Sequence, residues 1–233
     1  MAITRIGPNQ SINLASNITG TLPVSNGGIG IDSGTTDQFL KFTGTTTLAS
    51  AADNAGSLVQ IGSTVTCNNT ATVDFDNLSS DYNMYVIIGS QIRPATNDID
   101  FLMNFGTDGS TYAANKTSVY FQYYNNEGDN DLGSGANANQ SLGYSTSDQQ
   151  LMRNVSSHGT YGKAGQMKAY ISGLGQGGAY ASFDIYSNYW HTSNYAYSTH
   201  ISGMVQTAAD CVRFKTNSGN IAVGKFTLYG VNQ

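Results

Sequence analysis

Apolar positions are spread unevenly along the chain, and their pattern changes near residue 56. Over residues 1–56 they stand singly among Gly, Ser, Thr and Asn: Ile3, Ile6, Ile12, Leu14, Ile18, Leu22, Val24, Ile29 and Ile31. No helical period persists. Such a stretch cannot bury enough of itself to offset the entropy of ordering it. A flexible linker, however, has no use for spaced isoleucines. The segment reads as an extended arm of short β-segments that borrows its core from other chains. Within it, Thr43–Asp53 reads as one short helical turn or a linker.

From residue 57 to 233 the pattern becomes strand-like, with turn residues between the runs. Strands are expected at Leu58–Cys67, Thr72–Phe75, Asn83–Ile88, Ile99–Phe105, Ser118–Tyr124 and Gln166–Ile171, and at Tyr180–Ser187, Thr199–Gln206, Cys211–Lys215 and Lys225–Val231. Tyr180–Ser187 alternates, with Ser182, Asp184 and Tyr186 on one face and Ala181, Phe183 and Ile185 on the other. Thr107-Asp108-Gly109 is a turn signal. The Asn-, Asp- and Gly-rich stretch Asn125–Asn139 reads as a long loop. Strands at this spacing imply an all-β fold, a two-sheet sandwich of jelly-roll type over 57–233.

Composition sharpens this reading. Only 11% of the 233 residues are charged, there are 27 Gly and 15 Tyr, and the net charge is −5. Hydroxyls and amides must solubilise the surface, and surface helices lack their usual residues. A mildly acidic chain poor in cations argues against nucleic-acid partners and against docking on an anionic membrane. There is no apolar run of spanning length, so no membrane insertion is expected, and no signal peptide is visible. Cys67 and Cys211 sit in strand-like runs without metal spacing. Each reads as a buried free thiol in a chain made in a reducing cytosol.

Two segments carry a resemblance. Ile18–Gly30, Ile-Thr-Gly-Thr-Leu-Pro-Val-Ser-Asn-Gly-Gly-Ile-Gly, is similar to an element that recurs in tail-fibre and appendage proteins of tailed bacteriophages. The second, Ser218–Val231, Ser-Gly-Asn-Ile-Ala-Val-Gly-Lys-Phe-Thr-Leu-Tyr-Gly-Val, resembles the last hairpin of the jelly-roll tip domains of those fibres. The resemblance implies an intertwined homotrimer, assembled in the host cytoplasm into the virion. It implies an arm, residues 1–56, that trimerises and docks other virion proteins of the tail, baseplate or head. It also implies a tip, residues 57–233, that binds a host-surface glycan or protein. Ile12, Leu14, Ile18, Leu22, Val24, Ile29 and Ile31 are the candidates for trimerisation and attachment. Without a shaft of repeats or a large adaptor domain, a short fibre or appendage fits better than a long fibre. The alternatives are a head spike or capsid decoration protein with no receptor, and a small polysaccharide depolymerase.

Candidate chemistry is sparse, and no catalytic residue, metal site or cofactor is expected. Gly27-Gly28-Ile29-Gly30 lacks the helix and the Gly-Lys-Ser/Thr ending of a phosphate loop. His158, His191 and His200 show no zinc spacing. The acidic run Glu127–Asp131 lacks the calcium-loop pattern. With Glu127 as the single Glu, a glycosidase would need Asp98, Asp100 or Asp184.

The informative patch is aromatic. Tyr186–Tyr197 holds the one Trp and four Tyr, and it is expected to be largely loop between two strands. Tyr189, Trp190, His191, Asn194, Tyr195 and Tyr197 are the receptor-binding candidates. Their rings can stack on sugar C–H faces while Asn and His bond hydroxyls. Alternatively, Tyr189 and Trp190 cap the core. Tyr123 and Tyr124, beside the Asn125–Asn139 loop, form a second candidate patch.

Overall fold

The structure, a computed structural model, describes residues 39–42, 48–51, 58–128, 130–158, 163–178 and 180–231. The trimerisation candidates Ile12 to Ile31 and the Ile18–Gly30 element lie outside the described residues. The chain divides into two units, Met1–Gly56 and Ser57–Gln233.

In the first unit, β1 (Phe39–Phe42) and β2 (Leu48–Ala51) pair as an antiparallel hairpin. Over Leu48–Ala51 this corrects the helical turn or linker expected for Thr43–Asp53, the rest of which lies outside the described residues. A lone helical turn fixes several dihedrals for one hydrogen bond, whereas two paired strands satisfy each other's backbone groups.

The second unit is a nearly closed antiparallel β-sandwich, with no helix among the described residues. Its strands are β3 (Leu58–Thr70), β4 (Thr72–Phe75), β5 (Met84–Pro94), β6 (Ile99–Gly106), β7 (Lys116–Asn126) and β8 (Leu132–Ala136). β9 (Gln149–Val155), β10 (Gly165–Ser172), β11 (Ala181–His191), β12 (Tyr195–Val205), β13 (Cys211–Thr216) and β14 (Ile221–Val231) follow. Eight strands neighbour one another in the order β3-β14-β5-β10-β11-β12-β7-β8. A second layer runs β9-β6-β13-β4 and joins the first through the pair His191↔Val155. Chain continuity from β3 through Ala71 into β4 meets the other edge.

Period-two burial shows which face builds the core. On β11, Ala181, Phe183, Ile185, Ser187 and Tyr189 point inward. On β10, Met167, Ala169 and Ile171 do the same, while Gln166, Lys168 and Tyr170 face out. Phe226 of the first layer stacks with Phe101 and Phe214 of the second at centroid distances of 6.0 and 5.8 Å. Burying such rings is the main source of cohesion between layers. Both cysteines are buried and unbridged. At the Thr107-Asp108-Gly109 turn, Asp108 Oδ1 accepts the amides of Ser110 and Thr111, and Gly109 supplies the positive φ.

Leu58 pairs with Val231, and Val231 with Met84, so these residues share one end of the sandwich. Asn126, Tyr195 and His191 lie at the opposite end, reached along eleven-residue strands. At about 3.3 Å per residue the two ends are roughly 33 Å apart.

Candidate functional site

The Tyr186–Tyr197 stretch is strand rather than loop. β11 runs on to His191 and β12 begins at Tyr195, so only Thr192, Ser193 and Asn194 turn. Pairing of Tyr189 with Tyr197 extends the ladder to the tip of the hairpin. The expected loop Asn125–Asn139 is likewise largely a hairpin, in which β8 returns along β7.

These registers set the aromatic residues in rows across the inward face. Tyr189, Tyr197 and Tyr124 are cross-strand neighbours on β11, β12 and β7. Their rings stack in sequence, at 5.5 Å between Tyr189 and Tyr197 and 5.3 Å between Tyr197 and Tyr124. The Tyr124 ring lies over Gly133, where any Cβ would collide with it. One step nearer the tip, His191 stacks on Tyr197 at 5.1 Å, and Tyr195 meets Tyr124 edge-on at 5.8 Å. Tyr189 is buried and closes the core, as its core-capping alternative has it. Tyr124, Tyr195, Tyr197 and His191 are half-buried, so ring surface remains open at this end.

Polar groups line the same end. The Tyr195 hydroxyl donates to Asp131 Oδ2 at 2.6 Å, and this bond to a carboxylate raises the phenol above its ordinary range. The Glu127 amide donates to the Asn194 carbonyl at 3.2 Å, which ties the two hairpin turns together. Asn194 adopts a positive φ of 65°, a conformation Asn tolerates. The Ser193 amide donates to His191 Nδ1 at 3.0 Å. Burial and the nearby Arg153 hold the His191 imidazole below the usual histidine range, against the pull of Asp98 and Asp100. Asp98 is itself lowered by the Asn154 amide at 2.6 Å and the Thr192 hydroxyl at 3.0 Å.

Trp190 and Tyr123 do not join this group, because they point to the outer side of the eight-strand layer. Lys163 Nζ sits 4.2 Å from the Trp190 ring centre, above a surface hollow of about 430 Å³. The indole N–H is buried without a partner among the described residues. Tyr123 is 52% exposed and packs on Phe121 at 4.9 Å.

A third cluster, on the outer face, joins residues that the sequence offers only separately. Tyr186 and His200 are paired across β11 and β12, and their rings stack at 4.5 Å with a 5° tilt. Asp184 accepts from both, from the Tyr186 hydroxyl at 2.9 Å and His200 Nε2 at 2.5 Å. Tyr170 meets Tyr186 edge-on beside a groove of about 350 Å³. The alternation of β11 shows that Asp184 and Tyr186 share a face. Only the register of β12 brings His200 to them.

At the Leu58 end, a cavity of about 540 Å³ gathers Asp74, Asp76 and Asp81. Their carboxylates are engaged by Arg213, Tyr112 and Ser79. Among the described residues, no three His, Cys, Asp or Glu side chains are grouped to hold a metal ion.

No known protein family, curated protein or solved structure matches the chain.

Proposed function

We propose that this protein is a homotrimeric attachment appendage of a tailed bacteriophage, a short tail fibre or tail-tip protein. Its 57–233 unit would be a jelly-roll tip that binds a host-surface glycan, and its 1–56 arm would trimerise and dock into the virion. The observation that carries the reading is the aromatic end of the sandwich. Tyr124, His191, Tyr195 and Tyr197 present half-open ring faces beside Asp131 and Asn194, across the length of the sandwich from Leu58. Ring faces take up sugar C–H surfaces at little entropic cost, and carboxylate and amide oxygens take the hydroxyls. Three such ends on one trimer add through effective concentration, so weak single contacts become firm adsorption. The function is binding, with no bond made or broken in the receptor.

The test is a glycan array probed with the full chain and with Tyr195→Ala. The wild type should bind a defined subset of envelope glycans. Tyr195→Ala should weaken that binding at least about tenfold, the worth of one lost stacking and hydrogen-bonding contact. Tyr170→Ala, on the outer face, should leave it unchanged. Absence of binding to every glycan would favour a head spike or decoration protein. Release of shorter sugars from a bound polysaccharide would favour a depolymerase.

A further inference from the structure

Lys116 opens β7 and is fully buried, which is unusual for a lysine. Its Nζ donates to Asn104 Oδ1 at 2.6 Å and to the Ala114 carbonyl at 3.2 Å. Both partners are neutral oxygens. Asn104, on β6, is also buried. Its Oδ1 accepts a second donor, the Phe105 amide, at 2.9 Å. Its Nδ2 donates to the Thr146 carbonyl at 3.1 Å and to Asp148 Oδ1 at 2.9 Å. The other oxygen of Asp148 is held by Lys215 Nζ at 2.8 Å. An amine, a carboxamide and a carboxylate are thus in direct sequence, and the amine and carboxamide are closed off from water.

This arrangement is reactive rather than merely satisfied. Burial lowers the Lys116 ammonium to about 8, and Asp148 offsets only part of that effect. Near neutral pH an appreciable share of the amine is therefore unprotonated, the form that acts as a nucleophile. The Asn104 carbonyl also receives the Phe105 amide, which polarises it and stabilises negative charge developing on Oδ1. The carboxylate sits on the nitrogen that would have to leave.

We propose that Lys116 and Asn104 join in an intramolecular isopeptide bond, with Asp148 holding the nitrogen that departs. The Nζ lone pair attacks Cγ of Asn104, and the carbonyl π pair moves onto Oδ1. With Nζ and Nδ2 now both on Cγ, a proton passes from Nζ to Nδ2, the nitrogen that Asp148 Oδ1 already holds. The Cγ–Nδ2 bond breaks as the carbonyl reforms, and ammonia departs with the proton that the lysine ammonium sheds. One amide replaces another, so no oxidant or energy source is required, and dilution of ammonia into solvent drives the step forward. The product is a Cγ–Nζ amide that fastens β6 to the start of β7 and closes the connection between them. A protein that must hold its shape under pull at a surface gains from such a brace.

The intact mass of the purified full chain decides the matter. It should be one ammonia lighter than the sequence with Met1 removed or retained, and trypsin should fail to cut after Lys116. Lys116→Met should carry the full mass expected for its sequence. Asp148→Asn should fold, judged by circular dichroism, yet accumulate the bridge far more slowly. A folded wild-type chain at full mass and cut by trypsin after Lys116 would overturn the proposal. So would an ammonia loss that persists in Lys116→Met, since it would assign the loss elsewhere, for example to ring closure at Asn26-Gly27.

Discussion

Single residues fix the closest approaches in this fold. A Cβ at Gly203 would lie 2.4 Å from the Thr117 carbonyl oxygen and 2.6 Å from the Phe183 ring. The oxygen belongs to the neighbouring strand β7 and cannot turn aside. Gly203→Ala should therefore cost about 1–3 kcal/mol, as overpacking generally does. Gly135→Ala, with open space around it, should stay within about 0.5 kcal/mol of the wild type. Urea unfolding of the two variants checks this, and equal midpoints would mean that β12 and β7 pair less tightly than described. At this scale the sequence was partly legible. The opposite facings of Ser182, Asp184 and Tyr186 and of Ala181, Phe183 and Ile185 follow from alternation alone. The burial of Lys116 does not, because nothing local distinguishes it from an exposed strand lysine. Its partner Asn104 is 12 residues away on a strand that β7 does not pair with, and Asp148 reaches Asn104 only through the register of β6 with β9, Met103 opposite Gln149.

Strands were recoverable wherever hydrophobic alternation was clean, and obscured where polar groups turn inward. β9 went unread because Gln149 is buried. Its amide oxygen accepts the Ser118 hydroxyl at 2.5 Å, and its NH2 donates to the Gln140 carbonyl at 3.1 Å. Inward Ser187 and Thr199 interrupt β11 and β12 in the same way. Their hydroxyls bond each other at 2.5 Å, and both reach the Leu151 carbonyl at 3.0 Å. Buried polar residues that satisfy one another in this manner cost little, but they erase the pattern from which strands are read. This is why the aromatic stretch reads as loop from sequence while the structure continues it as a hairpin. β8 is hidden for another reason: Leu132-Gly-Ser-Gly-Ala is an exposed edge strand, held by β7 alone, with a composition typical of turns. The candidate residues themselves were legible as an aromatic cluster. Their division was not: Tyr124, Tyr189, His191, Tyr195 and Tyr197 lie on the inward face, and Trp190 and Tyr123 on the outer one. That division rests on which strand neighbours which.

For the whole molecule, the proposed function rests on two features, copies and polarity. In the proposal, copies would come from the arm, whose isolated apolar residues would be buried by partner chains. Light scattering of the full chain should give the mass of three chains of 24.7 kDa each. A single-chain mass would remove the gain from multivalency. Polarity comes from the sandwich, with Leu58 and Val231 at one end and the stacked rings at the other. The most direct measurement is hydrogen exchange of the full chain with and without the oligosaccharide that binds it best. The account predicts slowed exchange in β7 and β8 around Tyr124 and Asp131, and in the β11–β12 hairpin around His191 and Tyr195, with the rest unaltered. Protection confined to the outer strip of Tyr170, Tyr186 and His200, or to the cavity near Leu58, would contradict it.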